Sequence, residues 1–302
     1  MALIAGQEYS QSTEIDAGDG LKAVTFTANG EYLVGGEQKG VQVWRVKDGE
    51  RVAAMEVGLS VWSVAVSKDG RFIAAGSFWG DVLVWDGKTY EQVFADKIQG
   101  GPIIHDVDVS PDSTRLVSAN ESDRTATIWD IAVRRKVQTF DHGQSVLAAK
   151  YSPQGNRIAT ASWESVRVWD SNDEQLLVNV KVELRSWRGL LWFDNHLFVK
   201  TKDSKIREID AFTGSTLSEW SVPYDHDSCI ALPHHGKFIA CSAKDNIMFW
   251  DTSTHTQLAL IPRSSENGPI TFSPDNQLAI VSREKKITIK TLSLVKVCPM
   301  FF

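Results

Sequence analysis

The stretch Val61-Trp62-Ser63-Val64-Ala65-Val66-Ser67-Lys68-Asp69-Gly70-Arg71-Phe72-Ile73-Ala74-Ala75, followed by Val82-Leu83-Val84-Trp85-Asp86, holds the plan of the whole chain. Val64-Ala65-Val66 and Phe72-Ile73-Ala74-Ala75 have the content of short strands. Asp69-Gly70 between them is a hairpin signal, because both residues tolerate φ > 0. A third strand-like run then ends in Trp85.

The same pattern recurs on both sides. Runs comparable to Val82-Leu83-Val84-Trp85 begin at residues 41, 126, 166 and 247, each ending in Trp, and weaker copies begin at 206 and 287. The seven starts are 41, 44, 40, 40, 41 and 40 residues apart. Turn pairs repeat independently at Asn29-Gly30, Asp69-Gly70, Asp112-Ser113, Gln154-Gly155, Asp194-Asn195, His235-Gly236 and Asp275-Asn276. Their second residues differ by 40, 43, 42, 40, 41 and 40. Two markers in one period predict seven copies of a unit: strand, turn, strand, loop, Trp strand, turn, outer strand. A four-stranded sheet repeated every ~40–45 residues is a propeller blade. Closing such sheets into a ring removes most exposed strand edges.

Trp85-Asp86, Trp129-Asp130, Trp169-Asp170 and Trp250-Asp251, with the turns Ser110-Pro111-Asp112, Ser152-Pro153 and Ser273-Pro274-Asp275, resemble the WD-repeat (WD40) family over roughly residues 10 to 297. The fold class expected is therefore all-β, a seven-bladed WD40-type β-propeller with four antiparallel strands per blade. One domain is expected over 10–302, with blades near 21–57, 61–95, 103–140, 145–182, 187–221, 227–261 and 268–302. In many relatives an N-terminal segment supplies the outer strand of the last blade. Residues 9–15 are favoured for that role, and the run Leu292 to Val297 competes for it. The chain departs from the family at the buried polar tetrad, where only His142 and His226 sit near the usual His position. Ile209 and Ile289 are read in place of the core Trp in blades five and seven. Apolar packing is thus expected to hold the blades. Trp44, Trp85, Trp129, Trp169 and Trp250 are expected to be blade-packing residues.

Bulk properties narrow the function. The chain has 302 residues, of which 42% are hydrophobic and 23% charged, ordinary for a globular protein. A net charge of −6 does not favour nucleic acid, whose binders neutralise phosphates with a basic face. No run approaches the ~20 apolar residues of a membrane helix, and the start of the chain lacks a signal peptide's basic and apolar regions. Cys229, Cys241 and Cys298 are too few and scattered for a disulfide framework, which suits a reducing compartment. Cys298 stands fifth from the end, where a prenylation box needs it fourth. A monomer of the cytoplasm, with the nucleus as a second compartment, is expected, with no membrane and no nucleic-acid partner.

The hairpin frame also locates candidate site residues. Eight positions before the second turn residue, the seven blades carry Lys22, Trp62, His105, Leu147, Trp187, Ser228 and Gly268. These should start the innermost strands and ring the top mouth of the central channel. Loops on the same face add Phe78, Trp79, Arg124, Trp163 with Glu164, and Arg283, while Arg185 and Arg188 flank Trp187. Trp and Arg dominate interaction hot spots because they bury much area and make directed polar contacts. The competing reading is that each Trp caps its own blade or packs under a neighbouring loop. In WD-repeat proteins the top face commonly holds peptide ligands, so the resemblance implies a non-enzymatic scaffold for a peptide or protein partner, without cofactor. Alternatives are a detached sensor arm of a larger NTP-switch regulator and a propeller enzyme.

His226, Cys229, His234, His235 and Cys241 are potential zinc ligands by type. The repeat puts His226 at the top and His234 and His235 at the opposite turn, ~15 Å away along a strand, so no metal is expected. Cys229 and Cys241 are expected to be buried small apolar residues. No nucleophile elbow, phosphate loop or His-Glu-x-x-His occurs. The basic run Arg134-Arg135-Lys136 reads as a solvated turn on the opposite face.

Overall fold

Six of the seven hairpin turns place the second residue of the turn pair at positive φ: Gly30, Gly70, Ser113, Gly155, Gly236 and Asn276. In the fifth it is the first, Asp194. The computed structural model describes residues 12–17, 20–96, 101, 103–184, 186–223, 229–243, 245–262, 268–282 and 286–291. Within these ranges the chain forms seven four-stranded antiparallel sheets.

The first strand, β1 (Ser12–Asp16), is set aside until the ring closes. Blade one comprises β2 (Ala23–Phe26), β3 (Tyr32–Glu37), β4 (Gly40–Arg45) and β5 (Arg51–Glu56). Blade two comprises β6 (Val61–Val66), β7 (Phe72–Ser77), β8 (Val82–Asp86) and β9 (Gln92–Asp96). Blade three runs through β10 (Ile104–Val109), β11 (Arg115–Asn120), β12 (Thr125–Asp130) and β13 (Arg135–Asp141). Blade four is β14 (Val146–Tyr151), β15 (Arg157–Ser162), β16 (Ser165–Asp170) and β17 (Leu176–Lys181). Blade five is β18 (Leu190–Phe193), β19 (His196–Lys200), β20 (Lys205–Asp210) and β21 (Thr216–Ser221). Blade six is β22 (Ile230–Ala231), β23 (Phe238–Ser242), β24 (Asn246–Asp251) and β25 (Gln257–Pro262). Blade seven has β26 (Ile270–Phe272), β27 (Gln277–Val281) and β28 (Lys286–Thr291). Its fourth strand is β1, antiparallel to β28 with Ile15 opposite Ile287. Residues 9–11 of the segment favoured for this role, and the competing run 292–297, lie outside the described residues. Each innermost strand touches the next around the axis, and β2 against β26 closes the circle.

The core lies in the seams between blades. Trp44 packs with Ile15, Ala279 and Ile287 between blades seven and one, and Trp85 with Val41, Val43 and Met55 between blades one and two. Trp129, Trp169 and Trp250 fill the next blades' seams in the same way. Ile209 takes the position in blade five, opposite Leu197, and Trp187 and Trp192 pack against the same cluster. In blade seven the register corrects the sequence assignment. Lys290, rather than Ile289, stands opposite Leu278 where the other blades have Trp. The seam between blades six and seven is filled instead by Phe238 against Phe249 and Phe272, at 5.7 and 5.6 Å between ring centroids.

The polar tetrad is better represented than the sequence suggested. Trp129 Nε1 donates to Ser118 Oγ at 2.9 Å, and Ser118 Oγ to Asn120 Oδ1 at 3.0 Å. Trp169 Nε1 donates to Thr160 Oγ1 at 2.8 Å. His142 lies edge-on to Trp169, its ring centroid 6.3 Å away, and burial pushes its imidazole down to about 4. Blades three and four therefore keep part of a polar lock, because their second strands carry a hydroxyl where Trp can reach it.

Candidate functional site at the channel mouth

The inner strands of blades two, three and four share a local irregularity. Val61 pairs with Ser77 and Ser63 with Gly76, so Trp62 is an extra, unpaired residue. His105 and Leu147 are extra in the same way, between Ile104 and Asp106 and between Val146 and Ala148. Such a bulge breaks the in–out alternation and re-aims the side chain. This is why hairpin counting finds these three positions. In blade one, Lys22 precedes β2, with its N–H donating to Gly36 O at 2.8 Å. In blade five the count lands differently. Trp187 does not start the inner strand but sits in a turn before β18, where Ser186 Oγ accepts the N–H of Arg188.

The rings converge. Trp62 of blade two lies 5.6 Å from Trp187 of blade five, a contact that must reach across the channel mouth. His105 of blade three stacks on Trp187 at 5.7 Å and meets Trp62 at 6.1 Å. Phe78 extends the cluster from Trp62 at 5.3 Å and Trp79 from Phe78 at 5.1 Å. Tilted and edge contacts of this kind suit the ring quadrupoles. Two cations border the cluster, Lys22 Nζ 5.7 Å from the Trp62 centroid and the Arg188 guanidinium 5.4 Å from that of Trp187. Trp79 is half exposed, on a loop tip held firmly. Buried Ser77 Oγ donates to Asp81 Oδ2 at 2.7 Å and accepts the N–H groups of Trp79 and Asp81.

Not every predicted residue joins. Leu147 is 0% exposed and belongs to the core between blades four and five, so it supports Trp187 from beneath and offers no surface. The bulge that frees Trp62 leaves Leu147 under its neighbours because an aliphatic side chain is short enough to fold into the seam. His105 is nearly buried as well, at 6% exposure. Its Nε2 lies 3.4 Å from Glu121 Oε2 without forming a hydrogen bond, and burial outweighs that carboxylate and lowers the imidazole below its ordinary range. Arg124, at φ +59°, and Trp163 are exposed on separate loops, with no ring or ion contact to the cluster among the described residues. Arg185 and Arg283, like Ser228 and His226, lie outside the described residues.

The inner strands also carry charges that were not among the candidate residues of the hairpin frame. Asp106 accepts Lys150 Nζ at 2.8 Å and the Ala149 N–H at 3.2 Å, and Asp108 accepts the Tyr151 N–H at 2.8 Å. Burial pushes Asp108 up to about 6 against the opposing pull of Lys150. These carboxylates on β10 satisfy donors on the open edge of β14, since inner strands of adjacent blades share no backbone ladder. They join two blades. The visible signal was their two-residue spacing on one strand face. Lys200, at the end of β19, was also missed. It is 4% exposed and its Nζ has no hydrogen-bond partner among the described residues.

Elsewhere, Cys229 and Cys241 are buried. Among the described residues, no group of three or more His, Cys, Asp or Glu could hold a metal ion. A groove at the outer edge of blades seven and one is lined by Thr13, Tyr32, Arg45, Lys47 and Gln277, and there Arg45 is already paired with Asp48 and Glu50. No helix among the described residues is long and apolar enough to cross a membrane.

The family model for the WD domain, G-beta repeat, matches residues 56–86, 93–130 and 134–170, ending each time at or next to a Trp-Asp pair of the ring just described. The chain is a WD-repeat β-propeller. WD repeat-containing protein 1 of Gallus gallus is 42% identical over 205 residues, covering 63% of this chain and 33% of that protein. The Bos taurus protein of the same name is 42% identical over 95 residues, covering 30% and 15% respectively. This propeller thus spans a third or less of the length of these relatives. Small ribosomal subunit protein RACK1y of Oryza sativa subsp. japonica is 23% identical over 151 residues, half of this chain and 44% of that one. Among solved structures, the β-propeller domain of Cps50 (Swd1) from Myceliophteria thermophila superposes with a TM-score of 0.78 at 14% identity, covering 95% of this chain and all of that one. That likeness concerns the fold alone.

Proposed function

We infer that the propeller is a non-catalytic protein-interaction module that holds a segment of a partner protein over the top mouth of its channel. WD-repeat propellers support an interaction role in general, and the finer assignment rests on one observation. Aromatic side chains from blades two, three and five meet above the axis, bordered by two cations, on a frame that holds them in place. Pre-set aromatic anchors lower the entropy cost of association, which buried area alone does not offset. The partner's apolar side chain would pack between Trp79, Phe78 and Trp62, and polar groups would meet Lys22 and Arg188.

Selection from a phage-displayed random peptide library tests this. Selected peptides should lose at least tenfold in affinity for Trp62→Ala and for Trp79→Ala. They should bind normally to Phe212→Ala, which alters an exposed residue in the turn between β20 and β21. Peptides that ignore both Trp variants and lose affinity for Phe212→Ala would overturn the assignment.

A further inference from the structure

The second strands of the blades align residue by residue. Counting three positions on from the residue opposite the core Trp gives Gly36, Gly76, Ala119, Ala161, Lys200, Ser242 and Val281. Small residues dominate because the next blade crowds this point. A Cβ on Gly76 would lie 2.3 Å from Ile104 Cγ2, and one on Gly36 would lie 2.6 Å from Val61 Cγ1. Blade five alone places a long cation there.

Lys200 is 96% withdrawn from solvent, and its Nζ meets no acceptor among the described residues. A buried ammonium without a partner is strongly disfavoured, because it has lost hydration and gained nothing. The adjoining loop of blade five carries a second unsatisfied donor. The Lys200 N–H donates to Gly189 O at 2.8 Å, which places Arg188 and Trp187 on the adjoining loop. Trp187 Nε1 is buried without an acceptor among the described residues. The Arg188 carbonyl accepts the Ile230 N–H at 3.2 Å, tying this loop to blade six. There the inner strand β22 has only two residues, the shortest strand described, and pairs with β23 at two positions, so shifting it away from Lys200 breaks the least pairing within a blade.

We propose that the partner segment is acidic and that one of its Asp or Glu carboxylates is received by Lys200 at the seam of blades five and six, beside Trp187 and Arg188. Charge complementarity selects this occupant. The Lys200 ammonium and an indole N–H without a partner among the described residues gather in blade five, and Lys22 stands across the mouth. A methylated or free lysine side chain is disfavoured, because the protein's own cations already lie against the Trp faces. The inference rests on the top-face reading above and adds the chemistry of the ligand.

The test uses peptides selected on the whole chain from the random library. The consensus should be enriched in Asp or Glu, and a synthetic consensus peptide should bind at least tenfold more tightly than its Asn/Gln counterpart. Lys200→Met should abolish that difference and bind both peptides alike, while Trp62→Ala should lose both. Without peptide, Lys200→Met should melt at a higher temperature, since an apolar side chain of similar length replaces the unpaired charge. A consensus without acidic residues, or a Lys200→Met variant that keeps the tenfold preference, would overturn the proposal. A lowered melting temperature would do so too, by showing a counter-ion within the chain. Selected peptides indifferent to Trp62→Ala would instead overturn the top-face reading itself.

Discussion

Blades four and five sit side by side and solve the same packing problem differently. In blade four every strand has six residues, a bulge displaces Leu147, Trp169 fills the seam and bonds Thr160, and the crowded position holds Ala161. In blade five the inner strand has four residues and pairs without a bulge, Ile209 replaces Trp, and Lys200 occupies the crowded position. The missing volume is made up by Trp187 and Trp192 from the inner strand and the turn before it. The regular blade spends its aromatic residue on the seam. The irregular one moves aromatic surface toward the channel and tolerates unpaired donors there. Departures from a repeat that its neighbours keep are where function is expected, since local rules are broken only against some compensating gain.

The largest effect that could break this comparison is in the seams. Trp169→Ala should cost ~3–5 kcal/mol in urea unfolding, and Ile209→Ala roughly 2–4 kcal/mol, because fewer buried atoms are removed. If Ile209→Ala proves the costlier, blade five is as tightly packed as blade four and the contrast fails.

Next comes pH. His142 stays neutral when folded down to about 4 because it is buried, whereas an unfolded histidine takes up a proton near 6.5. Its contribution is complete above that value and is lost as pH falls toward 4, by about 3 kcal/mol at ~1.4 kcal/mol per unit. Asp108 acts in the opposite sense. Its folded value near 6 exceeds the ordinary 3.8, so its contribution weakens stability as pH rises from about 4 to 6. His142→Gln should therefore flatten the acid loss of stability, and Asp108→Asn should steepen it. Melting curves at half-unit pH steps would show both, and an unchanged slope in either variant would remove that group from the account.

A smaller effect sharpens the polar side of the comparison. Ser118→Ala leaves the Trp129 indole N–H without its acceptor and should cost ~1–3 kcal/mol. A negligible change would mean that this lock adds nothing to apolar packing. The smallest effect is Trp79→Ala. Half exposed on its stapled loop, it should change stability by no more than ~0.5 kcal/mol, while weakening partner capture. A large fall in melting temperature would make Trp79 a structural cap.

Most of the architecture was legible because its signals are local. A turn pair such as Asp69-Gly70 fixes its own hairpin, and the hairpin fixes which neighbouring residues alternate in and out. The cluster was legible in part. Lys22, Trp62 and His105 follow from counting back from a turn, but Leu147 obeys the same count and ends up buried, because its surroundings come from blade five. Trp187 obeys it as well, yet sits in a turn, since the short β18 begins later than its counterparts.

The chain's own order of residues thus determined the period, the number of sheets and the approximate rim, since strands and turns are encoded within a dozen residues of themselves. Only the assembled ring decided that Trp62 and Trp187, 125 positions apart, touch across the axis, that Asp106 and Asp108 bind the neighbouring blade, and that the Lys200 ammonium is sealed without a partner among the described residues. Each of those depends on what another blade presents, and burial and pairing are properties of the seam rather than of either strand.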